Sequence, residues 1–248
     1  MNAAFTTIIF AAGLLFVAGR GSTQELFTSP ARPDGHRLKT GQFLYRDSSE
    51  GKQLGTSRIA IQLTAAGGNY DFSAETIGYG DQQWESIATP SFAPLSAKLS
   101  FGKAKNSSPA FDLTYVPGRV TGFVVTHSHS NPGSGMRRAV DAFVPADTVD
   151  QRIDWATVLA NDLQPGGRFQ FSVYDPGIGV SHVLAQVGPL EGIHVPAGFF
   201  HVFRITYRVS KATGTEQYVV FASESLPRVM VREDFPDGTR SELAEEVR

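Results

Sequence analysis

Apolar and polar residues alternate along most of the C-terminal half of the chain. In RFQFSVYD, at 168–175, Phe169, Phe171 and Val173 fall on one face of an extended segment. The same period of two continues through further segments at 180–188, 198–209, 216–223, 228–235 and 239–246. Turn residues such as Pro236-Asp237-Gly238 separate the segments. Because connections of about two to six residues join antiparallel neighbours, this half is predicted to be an antiparallel meander.

The N-terminal half carries the same pattern. Ile59, Ile61 and Leu63 alternate in SRIAIQL, and Tyr70 and Phe72 alternate in NYDFSAE. The sequence between them, AAGGN, has the composition of a hairpin turn. Two further segments are predicted to be strands, at 92–101 and 119–126.

One segment departs from this pattern. Between residues 145 and 167, apolar residues recur at helical spacing: Val149, Ile153, Ala156, Ala160 and Leu163. Thr148, followed three residues later by Gln151, forms a capping box, and Pro165-Gly166-Gly167 ends the pattern. We therefore predict one principal helix at about 148–163. The fold class predicted from these elements is mainly β, a β-rich α+β domain with a curved antiparallel sheet and this helix.

The first residues resemble a secretory signal peptide. An apolar run from Ile8 to Val17 is followed by the small residues of Val17-Ala18-Gly19. The run is too short to span a bilayer of about 30 Å, although no Lys or Arg precedes it. We predict a signal peptide at 1–19, a flexible lead-in at 20–37 and a single domain at 38–248. The alternative for the first segment is a membrane anchor.

Composition excludes several classes of function. The chain has no cysteine, which excludes a lipid-modified N-terminal cysteine and disulfide bonds. The formal net charge is −2, and the longest basic cluster is Arg137-Arg138, so nucleic acid is not expected as a partner. We expect a periplasmic or secreted protein with no stable membrane anchor once the signal peptide has been cleaved.

THSHSNPGSG, at 126–135, is the strongest candidate for a metal site. His127 and His129 fall on the same face of a strand, where both rings reach one zinc ion. However, the sequence Ser130-Asn131-Pro132 follows, rather than the Asp and further His that metallohydrolases with this start carry. The favoured interpretation is a strand end with solvent-facing histidines that leads into a turn at Asn131-Pro132-Gly133.

Other residues with catalytic potential give no constellation. His201 alternates with Phe199 and Phe203 and is predicted at the edge of the core, whereas His182 and His194 lie on separate strands. Four glutamates are expected to be solvated at strand ends: Glu216, Glu224, Glu233 and Glu242. The GxSxG, GxGxxG and HExxH motifs do not occur. We therefore predict a protein that is not an enzyme and has no cofactor.

Aromatic residues suggest a binding surface instead. A curved sheet capped by one helix forms an apolar trough if its lining is not filled. The candidate lining residues are Trp155, Leu159, Phe169, Phe171, Phe199, Phe203 and Tyr207. The alternative is that these residues simply fill the core.

The C-terminal half also resembles a known family. VPAGFFHVFRITYRV, at 195–209, contains a Pro-Ala-Gly-Phe turn before a strand, and Leu226-Pro227-Arg228 and Asp237-Gly238 follow. Together with FLYR at 43–46 and LGTSRIAIQ at 54–62, these motifs resemble the DUF3108 family of exported bacterial proteins over roughly residues 38–245. The resemblance implies an incomplete antiparallel β-barrel wrapped over a helix, similar to the periplasmic lipoprotein carriers.

The predicted function combines these observations. We expect a non-catalytic exported protein that binds an apolar ligand or a lipid-bearing partner in the concave face of its sheet. One alternative is an envelope interaction or scaffold protein with a filled core. A metal-dependent hydrolase that uses the HSH segment is the third hypothesis.

Overall fold

Extended strands account for most of the chain, as the alternation predicts. The computed structural model describes residues 28–64, 68–102, 108–128 and 131–247. The strands are β1 Thr28–Pro30, β2 Gly41–Ser49, β3 Lys52–Leu63, β4 Tyr70–Ile77, β5 Gln82–Ala88, β6 Pro94–Phe101, β7 Ser108–Val116, β8 Arg119–Ser128, β9 Asn131–Phe143, β10 Thr148–Asp150, β11 Arg168–Asp175, β12 Gly179–Val195, β13 Gly198–Lys211, β14 Gly214–Ser223, β15 Met230–Asp234 and β16 Thr239–Val247. Short 3₁₀ turns at Gly35–Arg37 and Gln151–Ile153 and one helix, α1 at Asp154–Leu159, complete the described elements.

The sheet consists of two antiparallel meanders. Strands β2 to β9 lie side by side in chain order, and so do β11 to β16. Pairing of β16 with β2 joins the two meanders. β1 and β10 pair in parallel with β11, at the opposite end of the sheet from β9. Over the residues described, β9 pairs with neither of them, so the sheet is not closed. The prediction of a curved sheet or incomplete β-barrel with one helix is confirmed.

Helix α1 is enclosed by the concave face of the sheet, which we define as the face that contacts it. Every residue from Asp154 to Leu159 is buried. The main core joins the helix to the strands of both meanders, and its largest members include Phe43, Phe72, Ile205 and Tyr207. A helix that is covered on all sides is apolar around most of its circumference, as DWATVL is.

The helix is shorter than the predicted span of 148–163, and its start differs from the predicted capping box. Thr148 lies in β10, and its buried hydroxyl has no hydrogen-bond partner. The side chain of Asp150 instead accepts from the Arg152 amide (2.9 Å) and begins the 3₁₀ turn. At the other end, the Leu159 carbonyl accepts from Arg228 and the Ala160 carbonyl from the Asp34 amide. These long-range donors satisfy the hydrogen-bonding capacity of the carbonyls at the end of the helix, which ends at Leu159.

Side chains connect β10 and the 3₁₀ turn at Gln151–Ile153 to the other meander. The Tyr115 hydroxyl on β7 donates to the Asp150 carboxylate at the end of β10 (2.8 Å). The Arg152 guanidinium lies 4.5 Å from the centre of the Phe111 ring on β7. A second hydrophobic cluster, which contains Leu113, Val120 and Tyr174, fills the space behind these contacts. These side-chain contacts therefore hold β10 and the 3₁₀ turn against β7.

The described part of the predicted lead-in packs against the body of the protein. Thr28–Pro30 pair with β11, and the Arg32 amide donates to the Asn161 side chain (2.7 Å). The Asp34 amide bonds to the Ala160 carbonyl, and Leu38 forms a bridge with Arg228. Residues 1–27, which contain the predicted signal peptide at 1–19, lie outside the described residues.

Candidate functional site

Most of the predicted ligand-lining residues lie together in the main core. The buried members are Trp155, Leu159, Phe171, Phe203 and Tyr207, and Phe169 packs against them while partly exposed. The Tyr207 hydroxyl donates to the Trp155 carbonyl (3.3 Å), which fixes the helix against β13. Along this stretch the helix fills the concave face, and the predicted trough is occupied by the protein itself.

Phe199 is not with the other six residues. Its side chain is 52% exposed, and it contacts the rings of His194 and His201 at centroid distances of 4.9 and 5.1 Å. The inward face of β13 changes between the adjacent buried residues Val202 and Phe203, and before this change Phe200 rather than Phe199 packs against the core.

The histidines are also placed differently from the prediction. His201 is exposed, and the prediction that it lies at the core edge is wrong. His182 lies apart from His194 and His201, with its Nδ1 3.4 Å from the Ser172 hydroxyl. The structure thus brings two of the three histidines onto one exposed hairpin.

The HSH segment lies at a hairpin end. His127 belongs to β8, where it pairs with Gly135, and β8 ends at Ser128. Asn131 is already the first residue of β9, so the predicted turn at Asn131-Pro132-Gly133 is instead part of a strand. His129 lies outside the described residues. Asp141 is the nearest carboxylate downstream of the HSH segment in the sequence, and it is held by two hydrogen bonds of 2.7 Å from Arg119. Across the described ranges, no three His, Asp or Glu side chains are arranged to hold a metal ion.

A cavity of about 290 Å³ remains on the concave face, beside the start of α1, and we call it the mouth cavity. It lies at the end of the barrel where the β4–β5, β13–β14 and β15–β16 hairpins turn. The aromatic side chains that line it are Tyr79, Trp84, Trp155, Tyr218 and Phe235. The charged ones are Asp47, Asp154, Glu216, Glu233, Arg152 and Lys211, and aliphatic walls come from Ile59, Val209 and Met230.

Asp154 is one of the two fully buried residues among these carboxyl groups, with Asp47. It begins α1 and accepts hydrogen bonds from the Tyr218 hydroxyl (2.5 Å) and from the Trp155 amide (2.6 Å). Burial away from water raises the pKa of Asp154 to about 7, and the two hydrogen bonds oppose this change without cancelling it. A carboxyl group with this pKa changes between its protonated and its ionised form near neutral pH.

A polar row on the inner face of the sheet supplies two more carboxyl groups. Asp47 accepts from the Ser241 hydroxyl (2.6 Å) and the Ser57 hydroxyl (2.7 Å), and burial raises its pKa. Glu233 lies opposite Ser241 on the neighbouring strand. Burial, followed by the negative charge of Asp154, raises the pKa of Glu233 well above its ordinary range. Glu233 is half-buried and lines the mouth cavity, whereas the sequence predicted a solvated residue at a strand end.

The two bases that line the cavity are already paired. Arg152 is held by Asp150 and Asp175, and Lys211 forms an ion pair with Glu216. Within the described ranges, neither Asp47, Asp154 nor Glu233 has a Lys, Arg or His within ion-pair distance. The lining of the cavity therefore contains aromatic side chains and more carboxyl groups than unpaired bases.

The sequence contained a partial signal for this site. Trp155 was among the predicted lining residues, and it does line the cavity. Val231 and Glu233 are two positions apart on one strand and therefore lie on the same face. Because Val231 is buried, this face is the inner one, and Glu233 also points inward. Nothing local places Asp47 beside Ser241, because these residues meet only through the long-range pairing of β2 with β16.

The buried carboxyl groups predict a stability that depends on pH. An unfolded Asp releases its proton near pH 4, at its ordinary pKa, whereas folded Asp154 holds its proton up to a pKa of about 7. Between these values the folded chain binds more protons, so the free energy of unfolding falls as pH rises. Asp154→Asn is expected to reduce this slope in urea unfolding measured across the window. Asp47 and Glu233 act in the same direction, so part of the slope remains. A slope equal to that of the natural protein would contradict the assignment.

Comparison with known families identifies the chain's relatives. The sequence matches the family described as "Protein of unknown function (DUF3108)" over residues 44–244. The chain belongs to the DUF3108 family. The resemblance drawn from the Pro-Ala-Gly-Phe and Leu-Pro-Arg motifs is thereby confirmed. No curated protein matches the sequence.

Solved structures place this DUF3108 chain among barrel-like folds. A β-barrel-like protein of the DUF1849 family from Brucella abortus is similar with a TM-score of 0.50 and 12% identity, over 84% of this chain and 96% of that one. A protein from Bacteroides fragilis, provisionally described as exported and with a YmcC-like fold, gives a TM-score of 0.38 at 11% identity, covering 88% of this chain and 100% of that one. A provisionally described lipoprotein from Parabacteroides distasonis gives a TM-score of 0.33 at 11% identity, covering 86% and 98%. The first of these likenesses shows a shared fold.

The described part of this DUF3108 protein includes no helix that is both long and apolar enough to cross a membrane.

Proposed function

We propose that this DUF3108 protein is a non-catalytic, exported binding protein that takes an apolar group, from a free ligand or from a lipid-bearing partner, into the mouth cavity of its concave face. The periplasm or the cell exterior is the location that fits the apolar segment at Ile8–Val17 and the small residues after it. The observation that carries the proposal is the position and lining of the cavity.

The lining of the cavity supports binding in three ways. Its volume of about 290 Å³ is near the lower end of the range for small-molecule sites. Aromatic and aliphatic side chains supply apolar contact area, while a small number of polar groups provide orientation. The core behind it is packed, with Leu159 and Tyr207 fully buried, so the floor of the cavity is rigid.

The filled concave face also favours a second candidate function. Because the helix occupies the space between Phe171, Phe203 and Tyr207, a long acyl chain finds no room there without displacing α1. A scaffold that binds an envelope partner through its exterior fits a packed interior of this kind. The two functions differ in whether the mouth cavity takes a ligand.

A probe-binding experiment distinguishes them. The neutral apolar dye N-phenyl-1-naphthylamine is titrated into the purified protein and into two phenylalanine variants. Gln82 lines the mouth cavity, whereas its neighbour Gln83 points to the other face of β5 and bonds to Glu75. We expect saturable binding to the natural protein and to Gln83→Phe, and binding at least about tenfold weaker to Gln82→Phe, a loss of about 1.4 kcal/mol.

Two outcomes would overturn the proposal. Absence of saturable binding to the natural protein would leave the scaffold function as the better one. Equal affinities of Gln82→Phe and Gln83→Phe would show that the dye binds elsewhere. Native mass spectrometry of the protein, purified without detergent, complements this experiment, because a retained mass of lipid size identifies the natural ligand directly.

A further inference from the structure

The mouth cavity brings together both tryptophans of the chain, Trp84 and Trp155. Tyr79, Tyr218 and Phe235 complete its aromatic lining. The faces of aromatic rings carry negative potential and attract cations, with tryptophan the most effective of the three types. An aromatic cavity of this kind accepts either an apolar group or an organic cation, and its charges decide between them.

The charges of the cavity favour a cation. Four carboxyl groups and two bases line it, but Lys211 is paired with Glu216 and Arg152 with Asp150 and Asp175. Asp47 and Asp154 accept hydrogen bonds from neutral donors only. The cavity therefore holds carboxyl groups that no protein cation balances among the described residues.

Glu233 is the least satisfied of these groups. Its side chain lines the cavity and makes no hydrogen bond within the described part of the chain. Its neighbours on β15, Arg232 and Asp234, bond to each other and to Arg240 instead. A half-buried carboxyl group without a protein partner is stabilised in its ionised form when a cation lies beside it.

We propose that the mouth cavity recognises an organic cation, an ammonium group that carries small apolar substituents, with Glu233 and Asp154 as its counter-charges and Trp84 and Trp155 as its walls. This inference rests on the proposed binding function and names the chemical class of the ligand. A quaternary ammonium fits better than a primary amine, because its methyl groups match the apolar walls and it needs no hydrogen-bond acceptors. An anionic ligand fits less well, because both bases that line the cavity are already paired with carboxylates.

Binding of a cation is coupled to proton release. The titratable and charged groups that face Glu233 from the surrounding elements are Asp154 and Arg152 at the start of α1, Asp47 on β2, Tyr79 in the β4–β5 turn, Lys211 on β13, and Glu216 and Tyr218 on β14. Burial raises the pKa of Glu233 and of Asp154, the latter to about 7, and a cation beside these carboxyl groups lowers both pKa values, so binding of the cation displaces protons near neutral pH. A neutral ligand in the same cavity displaces none.

Three probes with the same hexyl chain test the inference: hexyltrimethylammonium, 1-hexanol and hexanoate. Isothermal titration calorimetry is performed at pH 7 in phosphate and in Tris, because these buffers differ in their ionisation enthalpy. We expect hexyltrimethylammonium to bind the natural protein at least about tenfold more tightly than the other two probes. We also expect its apparent enthalpy, and not that of 1-hexanol, to differ between the buffers.

A matched pair of variants locates the effect. Glu233→Gln is expected to weaken hexyltrimethylammonium binding about tenfold and to reduce the buffer dependence to the part that comes from Asp154, while 1-hexanol binding is unchanged. Glu242→Gln, on the adjacent strand β16 and outside the cavity lining, is expected to behave like the natural protein. Circular dichroism confirms that each variant is folded, and the probe comparison on the natural protein does not depend on either variant.

The outcomes separate the two proposals. If 1-hexanol binds as tightly as hexyltrimethylammonium and Glu233→Gln changes neither, the cavity binds ligands but does not recognise cations, and only the present inference fails. If no probe binds the natural protein, both the inference and the binding function are wrong. Tighter binding of hexanoate would also overturn the inference, since it would show that the cavity favours an anion.

Discussion

Asp150→Ala is expected to lower the free energy of unfolding by about 3–5 kcal/mol, because it removes the partner of an enclosed arginine. Asp150 is fully buried, with 0% of its surface exposed. It accepts hydrogen bonds from Arg152 Nε (2.6 Å), from the Arg152 terminal nitrogen (2.7 Å) and from the Tyr115 hydroxyl (2.8 Å). After the substitution, Asp175, at 3.1 Å, is the one carboxylate among the described residues that still pairs with Arg152.

The size of this effect follows from the place of Asp150 in the barrel. Its hydrogen bond to Tyr115 is one of the contacts that bridge β7 and β10, where no backbone pairing closes the sheet. Loss of the carboxylate removes the shorter of the two ion pairs of the buried Arg152 and also breaks this contact between β7 and β10. The strands at the gap are therefore expected to exchange their amide hydrogens faster in Asp150→Ala than in the natural protein.

Urea unfolding monitored by circular dichroism measures the loss, and Asp141→Ala is the matched control. Asp141 also forms a bidentate pair with an arginine, Arg119, at 2.7 Å, but both side chains are exposed. The control is expected to cost no more than about 1 kcal/mol. Asp150→Leu combined with Arg152→Met removes both charges and is expected to recover part of the stability. Equal losses for Asp150→Ala and Asp141→Ala would contradict the bridging role.

The alternation of apolar residues predicted the C-terminal meander well, because strand faces are a local property of the sequence. Each predicted segment from 168–175 to 239–246 corresponds to a strand, in the predicted antiparallel order. Strands with a weaker alternation were missed. β5, with QQWESIA, and β9, with two adjacent arginines, show no clear period of two. The pairing of β16 with β2 was also missed, since residues nearly 200 positions apart carry no local signal.

The candidate site was only partly predictable for the same reason. Trp155 was identified from its place on an apolar helix, but the carboxyl groups beside it were not. Asp47, Asp154 and Glu233 come from three elements that are distant in sequence, and each alone resembles an ordinary surface acid. Their burial depends on the curvature of the sheet around the helix, which follows from long-range pairing rather than from residue type.

The helix boundaries show how tertiary contacts replace local signals. The capping box at Thr148 and Gln151 predicted the start of the helix, but β10 pairs with β11 and takes Thr148 into the sheet. The apolar stripe still identified the buried side correctly, since Val149, Ile153 and Leu163 are all buried. The end of the helix is determined by a residue that lies more than sixty positions further along the chain, Arg228.

Arg228→Met is expected to lower the free energy of unfolding by about 2–4 kcal/mol, because it leaves buried carbonyl groups without donors. Arg228 is 4% exposed, and one terminal nitrogen donates to the carbonyls of Leu159 (3.1 Å) and Asn161 (2.9 Å). Methionine keeps much of the side-chain volume but donates no hydrogen bond. Burial lowers the pKa of Arg228, because enclosure in the protein destabilises its charged form. Arg228→Met removes this unfavourable burial of charge, so the net loss in the free energy of unfolding is moderate.

The Leu-Pro-Arg motif that resembles the DUF3108 family thus has a structural explanation, which hydrogen exchange tests locally. In Arg228→Met, two backbone amides are expected to exchange faster than in the natural protein. The Ala160 amide donates to the Ala156 carbonyl, and the Asp34 amide donates to the Ala160 carbonyl. Arg232→Met is the matched control, because Arg232 pairs with Asp234 and lies over the Phe221 ring, away from the helix. The control is expected to lose about 1 kcal/mol or less and to leave the exchange of Ala160 unchanged. If Arg228→Met unfolds in urea like the natural protein, the carbonyls of Leu159 and Asn161 are satisfied by water, and the end of α1 does not depend on this arginine.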